Sequence, residues 1–311
     1  MRVLTWPQVS ADGAPRGGPA LDTLGLVNIA LVTDSTASLP QDLGREHGIR
    51  VIPLHVVVDG KERAEGEGGD PAWVVDALRR KADVSTSRPA PATFLRTYEE
   101  AAKGGAEAII SVHLSGSLSG TVDSARSAAL ESPVPVHVVD SRTIGMVVGL
   151  AAIGATRDAA DGRPAEEVAE RLEQRLAGSS VRLLVHTLER LRRGGRIGGA
   201  AALLGSALAV KPVLHVIDGQ VEPLERVRTA GRAIARLQAL TEAACAELPE
   251  WADGAEIAVQ HIDADERAQG LADALAAGVD GPVEMTTLSA VVAAHVGLGT
   301  IGVAVLPRLR D

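Results

Sequence analysis

The segment at residues 107–130 constrains the fold of this chain more than any other. An apolar run at 107–112 (EAIISV) leads into the stretch SVHLSGSLSGTVDSARS at 111–127, after which alanine and leucine residues recur at helical spacing. This order predicts a buried strand, then a loop rich in hydroxyl groups, then the N-terminus of a helix. Four hydroxyl side chains stand within seven positions of that loop: Ser115, Ser117, Ser119 and Thr121.

Two interpretations of these hydroxyl groups are open. Serine, glycine and threonine commonly cap helices and form turns. Alternatively, the loop binds a carboxylate or a phosphate, because the first N–H groups of a helix are unpaired and the helix dipole favours negative charge there. One capping residue is enough for a helix, so four hydroxyl groups favour a ligand site.

Strand and helix patterns alternate through the first half of the chain. Residues 28–32 (NIALV), 51–58 (VIPLHVVV) and 136–139 have the pattern of strands, and Pro53 suggests an edge position for the second of them. The alternation predicts a mainly parallel sheet with helices on both faces. Ligands bind beyond the carboxyl ends of the strands in such sheets. The serine-rich loop and a second hydroxyl cluster, placed in the loop at 85–87 (STS) ahead of a helix, are expected at that edge.

The pattern changes beyond residues 161–163 (DGR), which mark a domain boundary. Residues 211–228 predict a hairpin, because Asp218-Gly219 is a strong signal for a tight turn. Strands and helices follow to the end of the chain, so a second α/β domain with a mixed sheet is expected. The predicted parts are a disordered extension at 1–27, an N-terminal α/β domain at 28–160 and a C-terminal α/β domain at 161–311.

Composition limits the class of ligand. Apolar residues make up 46% of the chain but aromatic residues only 2%, so the core must be aliphatic. Aliphatic walls suit a flexible hydrocarbon better than a flat ring. The formal net charge is −9, and no basic stretch alternates with aromatic residues, which argues against nucleic-acid binding.

Cysteine and histidine usage argues against disulfides and metals. The single cysteine, Cys245, excludes a disulfide within the chain, and the eight histidines are scattered singly, so neither a metal nor another cofactor is predicted. No apolar run approaches the ~18 residues of a membrane span, and the first 27 residues lack the features of a signal peptide. We therefore expect a cytoplasmic protein without a membrane span.

Two glycine motifs fail when their structural context is considered. Residues 297–302 (GLGTIG) fit G-x-G-x-x-G, but they precede a terminal strand and leave no room for the βαβ unit of a dinucleotide site. Residues 116–120 (GSLSG) have Leu118 where a nucleophile elbow needs serine. The sequence therefore indicates neither a dinucleotide site nor a hydrolase elbow.

Three further side chains are candidates for a site. His295 lies between an apolar run and a Gly-x-Gly turn, so its ring either points into a cleft or packs structurally. Arg196 has glycines on both sides, which allow its backbone to approach another group closely. Arg228 belongs to a second basic cluster, and in an acidic protein such clusters can receive a phosphate or an acidic partner.

Seven motifs in one order resemble the DegV family of bacterial fatty-acid-binding proteins. They are VTDSTASLP (32–40), TSRPAP (86–91), LSGSLSGT (114–121), VVDSRTIG (138–145), LERLRRGGRIG (188–198), VKPVLHVIDGQV (210–221) and HVGLGTIGV (295–303). The resemblance covers residues 29–305, which leaves only the N-terminal extension outside it. Arg88 departs from the glutamine that is usual in the family after the TSRP serine.

The resemblance implies a long-chain fatty acid held between two α/β domains by a protein that is not itself an enzyme. It implies that Thr86 and Ser119 bind the carboxylate and that His295 lies beside it. A separate fatty-acid kinase would convert the presented acid to an acyl-phosphate, and Arg196 and Arg228 would meet the kinase or the phosphate. The resemblance also implies a surrounding set of hydroxyl groups: Ser87, Ser115, Ser117 and Thr121.

Two other functions remain open from the sequence. One is an esterase or acyltransferase with Ser119 as the nucleophile and His295 as the base, which needs a serine–histidine hydrogen bond and an oriented histidine. The other is a module that binds a small anion without a lipid. The sequence offers the enzyme neither an elbow nor an acidic partner for the histidine.

Overall fold

The computed structural model describes residues 27–66, 71–198 and 211–310. The predicted disordered extension at 1–27 lies outside these residues except for Val27, which is exposed.

The described strands form three sheets. In chain order the strands are β1 (Ile29–Asp34), β2 (Arg50–Ile52), β3 (His55–Val58), β4 (Lys61–Ala64), β5 (Val84–Ser87), β6 (Ala108–His113), β7 (Val136–Asp140), β8 (Ser180–Leu184), β9 (Lys211–Ile217), β10 (Gln220–Val227), β11 (Ala252–Ile262), β12 (Val283–Thr287) and β13 (Thr300–Leu309). The first sheet has the order β2-β1-β6-β7 and is parallel throughout. The second, β4-β3-β5, is antiparallel.

The third sheet has the order β10-β9-β8-β13-β11-β12, and only its β11–β12 pair is parallel. Strands β9 and β10 form the predicted hairpin around Asp218 and Gly219, both of which have positive φ as a tight turn requires. The predicted α/β class, with one parallel and one mixed sheet flanked by helices, is confirmed.

The helices connect the strands and cover the sheets. They are α1 (Gln41–Glu46), α2 (Pro71–Arg79), α3 (Pro91–Lys103), α4 (Thr121–Ala129), α5 (Met146–Ala160), α6 (Ala165–Ala177), α7 (Glu189–Gly194), α8 (Ala230–Ala246), α9 (Asp265–Gly278) and α10 (Ala290–Val296), with a 3₁₀ turn at Ser35–Ala37. Helices α5 and α6 pack against each other and contact both large sheets. Each of the first ten residues of α5 is buried, as expected for a helix covered on several sides.

The largest apolar cluster runs from Leu31 of the parallel sheet through Val147 of α5 to Ala304 of the mixed sheet. Strands up to Asp140 belong to the first two sheets and strands from Ser180 belong to the third. The domain boundary near residue 161 stays a prediction.

Two sequence-based expectations about strands are wrong. Residues 51–58 do not form one strand: the chain leaves the parallel sheet after β2, which does lie at its edge, and begins β3 in the small sheet. Pro53 has no N–H to continue a ladder, and the N–H of Leu54 donates to Ser35 Oγ at 3.0 Å instead. Thr86 lies on strand β5, paired with Val56 of β3, rather than in a loop.

Candidate functional site

A cavity of about 340 Å³ lies where the three sheets approach one another. Its walls come from the small sheet, the serine-rich loop, α10 and the mixed sheet. Most of the lining side chains are aliphatic: Leu54, Leu114, Leu118, Ile144, Val181, Leu183, Leu191, Val221, Leu288, Val291, Val292 and Val296. The volume falls in the range of small-molecule sites. An aliphatic cavity of this size suits a hydrocarbon chain.

Helix α10 forms one wall of the cavity. Val291, Val292, His295 and Val296 all line it, because positions three and four apart share one face of a helix. The first turn is capped by Ser289, whose hydroxyl accepts from the N–H of Val292 at 3.1 Å. The cap fixes the start of the helix, and His295 falls in its last turn.

Thr86 and His295 meet at the polar end of the cavity. Thr86 Oγ1 lies 2.9 Å from His295 Nε2, although the two residues are 209 positions apart. Burial, followed by the positive charges of Arg196 and Arg190, lowers the pKa of His295 to about 4. The ring is therefore neutral near pH 7, where it can share a proton with a hydroxyl or a carboxylate.

The serine-rich loop divides its hydroxyl groups between two tasks. Ser119 lines the cavity, and its Oγ lies 2.8 Å from Thr121 Oγ1. Ser115 is buried and donates to the carbonyl of Gly219 at 2.8 Å, so it ties the loop to the β9–β10 hairpin. Ser117 is exposed, and neither it, Ser115 nor Thr121 lines the cavity.

Helix capping does not account for these hydroxyl groups. Helix α4 begins as predicted after the loop, but its N-cap is Gly120, with no side-chain hydrogen bond. The serines therefore do not cap α4, although Ser115 Oγ accepts from the N–H of Ser117 at 3.2 Å, as in a turn.

Two guanidinium groups lie at the same end of the cavity. Arg196 lines it and donates through Nε to the carbonyl of Leu118 at 3.2 Å. Arg88 also lines it and lies so close to Gly120 that a Cβ there would be 1.9 Å from Arg88 Nη1. Arg88 was not among the predicted site residues, although its position two residues after Thr86 was a usable signal.

The remaining predicted residues differ in position. Ser87 lines the cavity, but its hydroxyl donates to Glu62 Oε1 at 2.6 Å. Arg228 is exposed beyond the end of β10 and is not among the lining residues. The structure thus brings Thr86, Ser119 and His295 to one cavity together with Arg196, and leaves Arg228 outside it.

A family model described as "Uncharacterised protein, DegV family" matches residues 28–308. The chain belongs to the DegV family. A DegV domain-containing protein of Streptomyces coelicolor is 45% identical over 283 residues, which are 90% of this chain and 99% of the relative.

Solved structures of DegV proteins have the same fold. A DegV family protein from Thermus thermophilus, described by its fatty-acid binding, has a TM-score of 0.84 and 36% identity over 91% of this chain and 100% of its own. DegV of Bacillus subtilis, described as a fatty-acid-binding protein, has a TM-score of 0.83 and 31% identity, again over 91% and 100% of the two chains. The predicted resemblance is confirmed.

Within residues 27–66, 71–198 and 211–310, no helix has the length and apolar character needed to cross a membrane. Over the same residues, no group of three or more histidine, cysteine, aspartate or glutamate side chains is arranged to hold a metal ion.

Proposed function

We propose that this protein binds a long-chain fatty acid in the aliphatic cavity, with the carboxylate at Thr86, Ser119 and His295. The observation that carries the proposal is the Thr86–His295 hydrogen bond of 2.9 Å at the polar end of an otherwise aliphatic cavity that Ser119 also lines. The fatty-acid binding for which the Thermus and Bacillus DegV proteins are described supports it.

The two parts of the ligand would contribute differently. Burying the tail is favourable by about 0.8 kcal/mol per CH₂, so the hydrocarbon supplies most of the affinity. A buried carboxylate needs donors, and each hydrogen bond to a charged group contributes roughly 1.5–3 kcal/mol. Hydroxyl groups and a neutral imidazole provide such bonds without forming a fixed ion pair, so the acid group stays available for chemistry.

The proposed role is to present the acid, in the cytoplasm, to a separate kinase. The γ-phosphate of ATP would pass to a carboxylate oxygen, giving an acyl-phosphate and ADP. Arg196 and Arg88, which line the cavity, would stabilise the negative charge in such a transfer. Arg228 is exposed and would meet the kinase surface rather than the ligand.

The esterase alternative has less support. Ser119 Oγ is hydrogen-bonded to Thr121, whereas His295 Nε2 is hydrogen-bonded to Thr86, so the required serine–histidine pair is not formed. Among the described residues, no carboxylate is hydrogen-bonded to His295 to orient its ring.

Organic extraction of the purified protein followed by mass spectrometry tests the binding directly. We expect a stoichiometric fatty acid. A polar anion in a lipid-free protein would favour the small-anion alternative, and an activated ester that gives a burst of product, lost in Ser119→Ala, would favour the enzyme.

Titration of the delipidated protein with palmitate tests the head-group assignment. Thr86→Ala and Ser119→Ala should each weaken binding by about tenfold or more, the loss expected for a hydrogen bond to a charged group. Thr86→Ser keeps the hydroxyl and Ser117→Ala alters an exposed serine of the same loop, so both should bind like the wild type. Unchanged affinity in both alanine variants of the cavity would reject the assignment.

The kinase step has its own test. Loaded protein, ATP and a fatty-acid kinase catalytic subunit should yield acyl-phosphate, trapped with hydroxylamine as the hydroxamate. We expect no product without the kinase. Product formed by this chain and ATP alone would overturn the presenting role and leave fatty-acid binding intact.

A further inference from the structure

Three residues that line the cavity lie near the start of α10, whereas His295 lies in its last turn. They are Thr36, Gly145 and Gln260, and Gln260 is only 1% exposed. The fatty-acid role accounts for the aliphatic walls and for the polar groups around Thr86 and His295, but not for the amide of Gln260.

Helix α10 gives a scale for the separation of Gln260 from His295. Just before the helix, the N–H of Leu288 donates to the carbonyl of His261, the residue after Gln260, at 2.8 Å. At its last turn, His295 contacts Thr86. Seven helical residues span about 10 Å, so Gln260 lies roughly that far along the cavity from the carboxylate position.

The orientation of the Gln260 amide follows from its partner. The N–H of Met146 donates to Gln260 Oε1 at 2.8 Å, and a backbone N–H can be paired only with the oxygen of the amide. A side chain at position 145 would collide with this amide, because its Cβ would lie 2.7 Å from Oε1, and Gly145 allows the approach. The oxygen of Gln260 is therefore already hydrogen-bonded, and its Nε2 is the group that can donate to a ligand.

No hydrogen-bond acceptor for Gln260 Nε2 is present among the residues that the structure describes. Gln260 lines the cavity, and a donor that faces a cavity is completed there by an acceptor on a ligand or on a water. Thr36, another polar side chain of the lining, donates its hydroxyl proton to Asp34 Oδ1 at 2.5 Å and has no hydrogen bond to Gln260 among the described residues. An acceptor on the ligand would complete the hydrogen bonding of Nε2.

We propose that Gln260 makes the cavity selective for fatty acids that carry an oxygen atom remote from the carboxylate, to which Nε2 donates. The inference rests on the proposed fatty-acid site and adds the class of acyl chain that the site prefers. The oxygen of a hydroxyl or keto group would accept from Nε2, whereas the methyl end of an unsubstituted acid would leave Nε2 without an acceptor.

The test compares ω-hydroxy acids with their parent acids in delipidated protein. The probes are 10-hydroxydecanoate, 12-hydroxydodecanoate and 16-hydroxyhexadecanoate, each titrated beside the unsubstituted acid of the same length. At the length that fits, the wild type should bind the hydroxy acid about two- to tenfold more tightly, the range of one net hydrogen bond. Gln260→Leu should reverse this preference, and Gln269→Leu, which alters an exposed amide, should keep it.

The outcomes separate the two proposals. If the parent acids bind as tightly as the hydroxy acids at every length in the wild type, the selectivity inference is wrong, whether or not Gln260→Leu folds. The same holds if the preference survives in Gln260→Leu. Binding of neither class would reject the fatty-acid site itself, whereas parent acids that bind and respond to Ser119→Ala leave that site standing.

Discussion

His113 and His295 each hydrogen-bond a hydroxyl side chain. The two rings differ in their burial and in whether every polar atom around them has a hydrogen-bond partner. His113 Nδ1 lies 3.0 Å from Asp34 Oδ2, and its Nε2 lies 2.7 Å from Ser111 Oγ. All three residues are fully buried. His295 has Thr86 as its partner and lines the cavity.

Every polar atom of the His113 cluster is used. Asp34 accepts from the N–H groups of Thr36 and Leu114 as well as from the Thr36 hydroxyl. Because the carboxylate only accepts, His113 donates from Nδ1, and in the neutral ring Nε2 accepts from Ser111. The Tyr98 hydroxyl then donates to Ser111 Oγ at 2.8 Å and completes the chain.

The difference shows why residue types alone do not identify a site. Asp34, His113 and Ser111 have the composition of a catalytic triad, but no atom of the cluster is left for a substrate. Such a network fixes the ends of β1 and β6, and the serine-rich loop follows β6. The His295 cluster retains hydrogen-bonding capacity at a cavity, and that capacity is what a ligand needs.

We call Asp34, His113 and Ser111 the closed cluster, and Thr86 and His295 the open cluster. Breaking the closed cluster should have the largest effect on stability. Asp34→Ala leaves several buried donors without an acceptor, so we expect the free energy of unfolding to fall by about 3–5 kcal/mol. Urea denaturation measures the change. Thr86→Ala, in the open cluster, should cost less than about 1 kcal/mol while it weakens ligand binding. Equal losses for the two variants would contradict the comparison.

The open cluster should also respond to acid. His295 has a folded-state pKa of about 4 against an ordinary value of 6.5, so its contribution to stability is complete above pH 6.5 and is lost as the pH falls through 4. The loss amounts to about 3 kcal/mol over that window. His295→Gln should therefore flatten the acid side of a stability profile measured by urea denaturation at successive pH values.

Glu65 contacts the start of α10, and its effect on stability changes with pH in the opposite direction to that of His295. Its carboxylate accepts from the N–H of Ala290 at the start of α10, and burial raises its pKa to about 7 from an ordinary value of 4.5. Its contribution is complete below pH 4.5 and is lost as the pH rises through 7. Glu65→Gln should steepen the acid loss that His295 causes, and a profile unchanged in both variants would count against both shifts.

Within the cluster around His113, a smaller effect than that of Asp34→Ala is expected from Tyr98→Phe. The substitution removes one hydroxyl from the end of the closed chain and leaves the packing of the ring, so the expected loss is about 1 kcal/mol. Affinity for palmitate should not change, because Tyr98 does not line the cavity. Weaker palmitate binding in this variant would show that the closed cluster acts on the site.

Local patterns in the sequence determined the elements and much of the fold class. The apolar run, hydroxyl loop and helix start at residues 107–130 are β6, the serine-rich loop and α4, and Asp218-Gly219 forms the hairpin turn. Periodicity, turn residues and strand alternation depend on neighbours in the chain, which a sequence displays directly. The family motifs carried Thr86, Ser119 and His295 as site candidates for the same reason.

The tertiary structure alone decided which side chains meet. Thr86 lies on a small sheet that begins because Pro53 ends the preceding strand, and only the packing of α10 against that sheet brings His295 to it. Ser115 binds the hairpin and does not line the cavity, whereas Gln260 does line it. These contacts join residues far apart in sequence, and they depend on how whole elements pack, which no local pattern records.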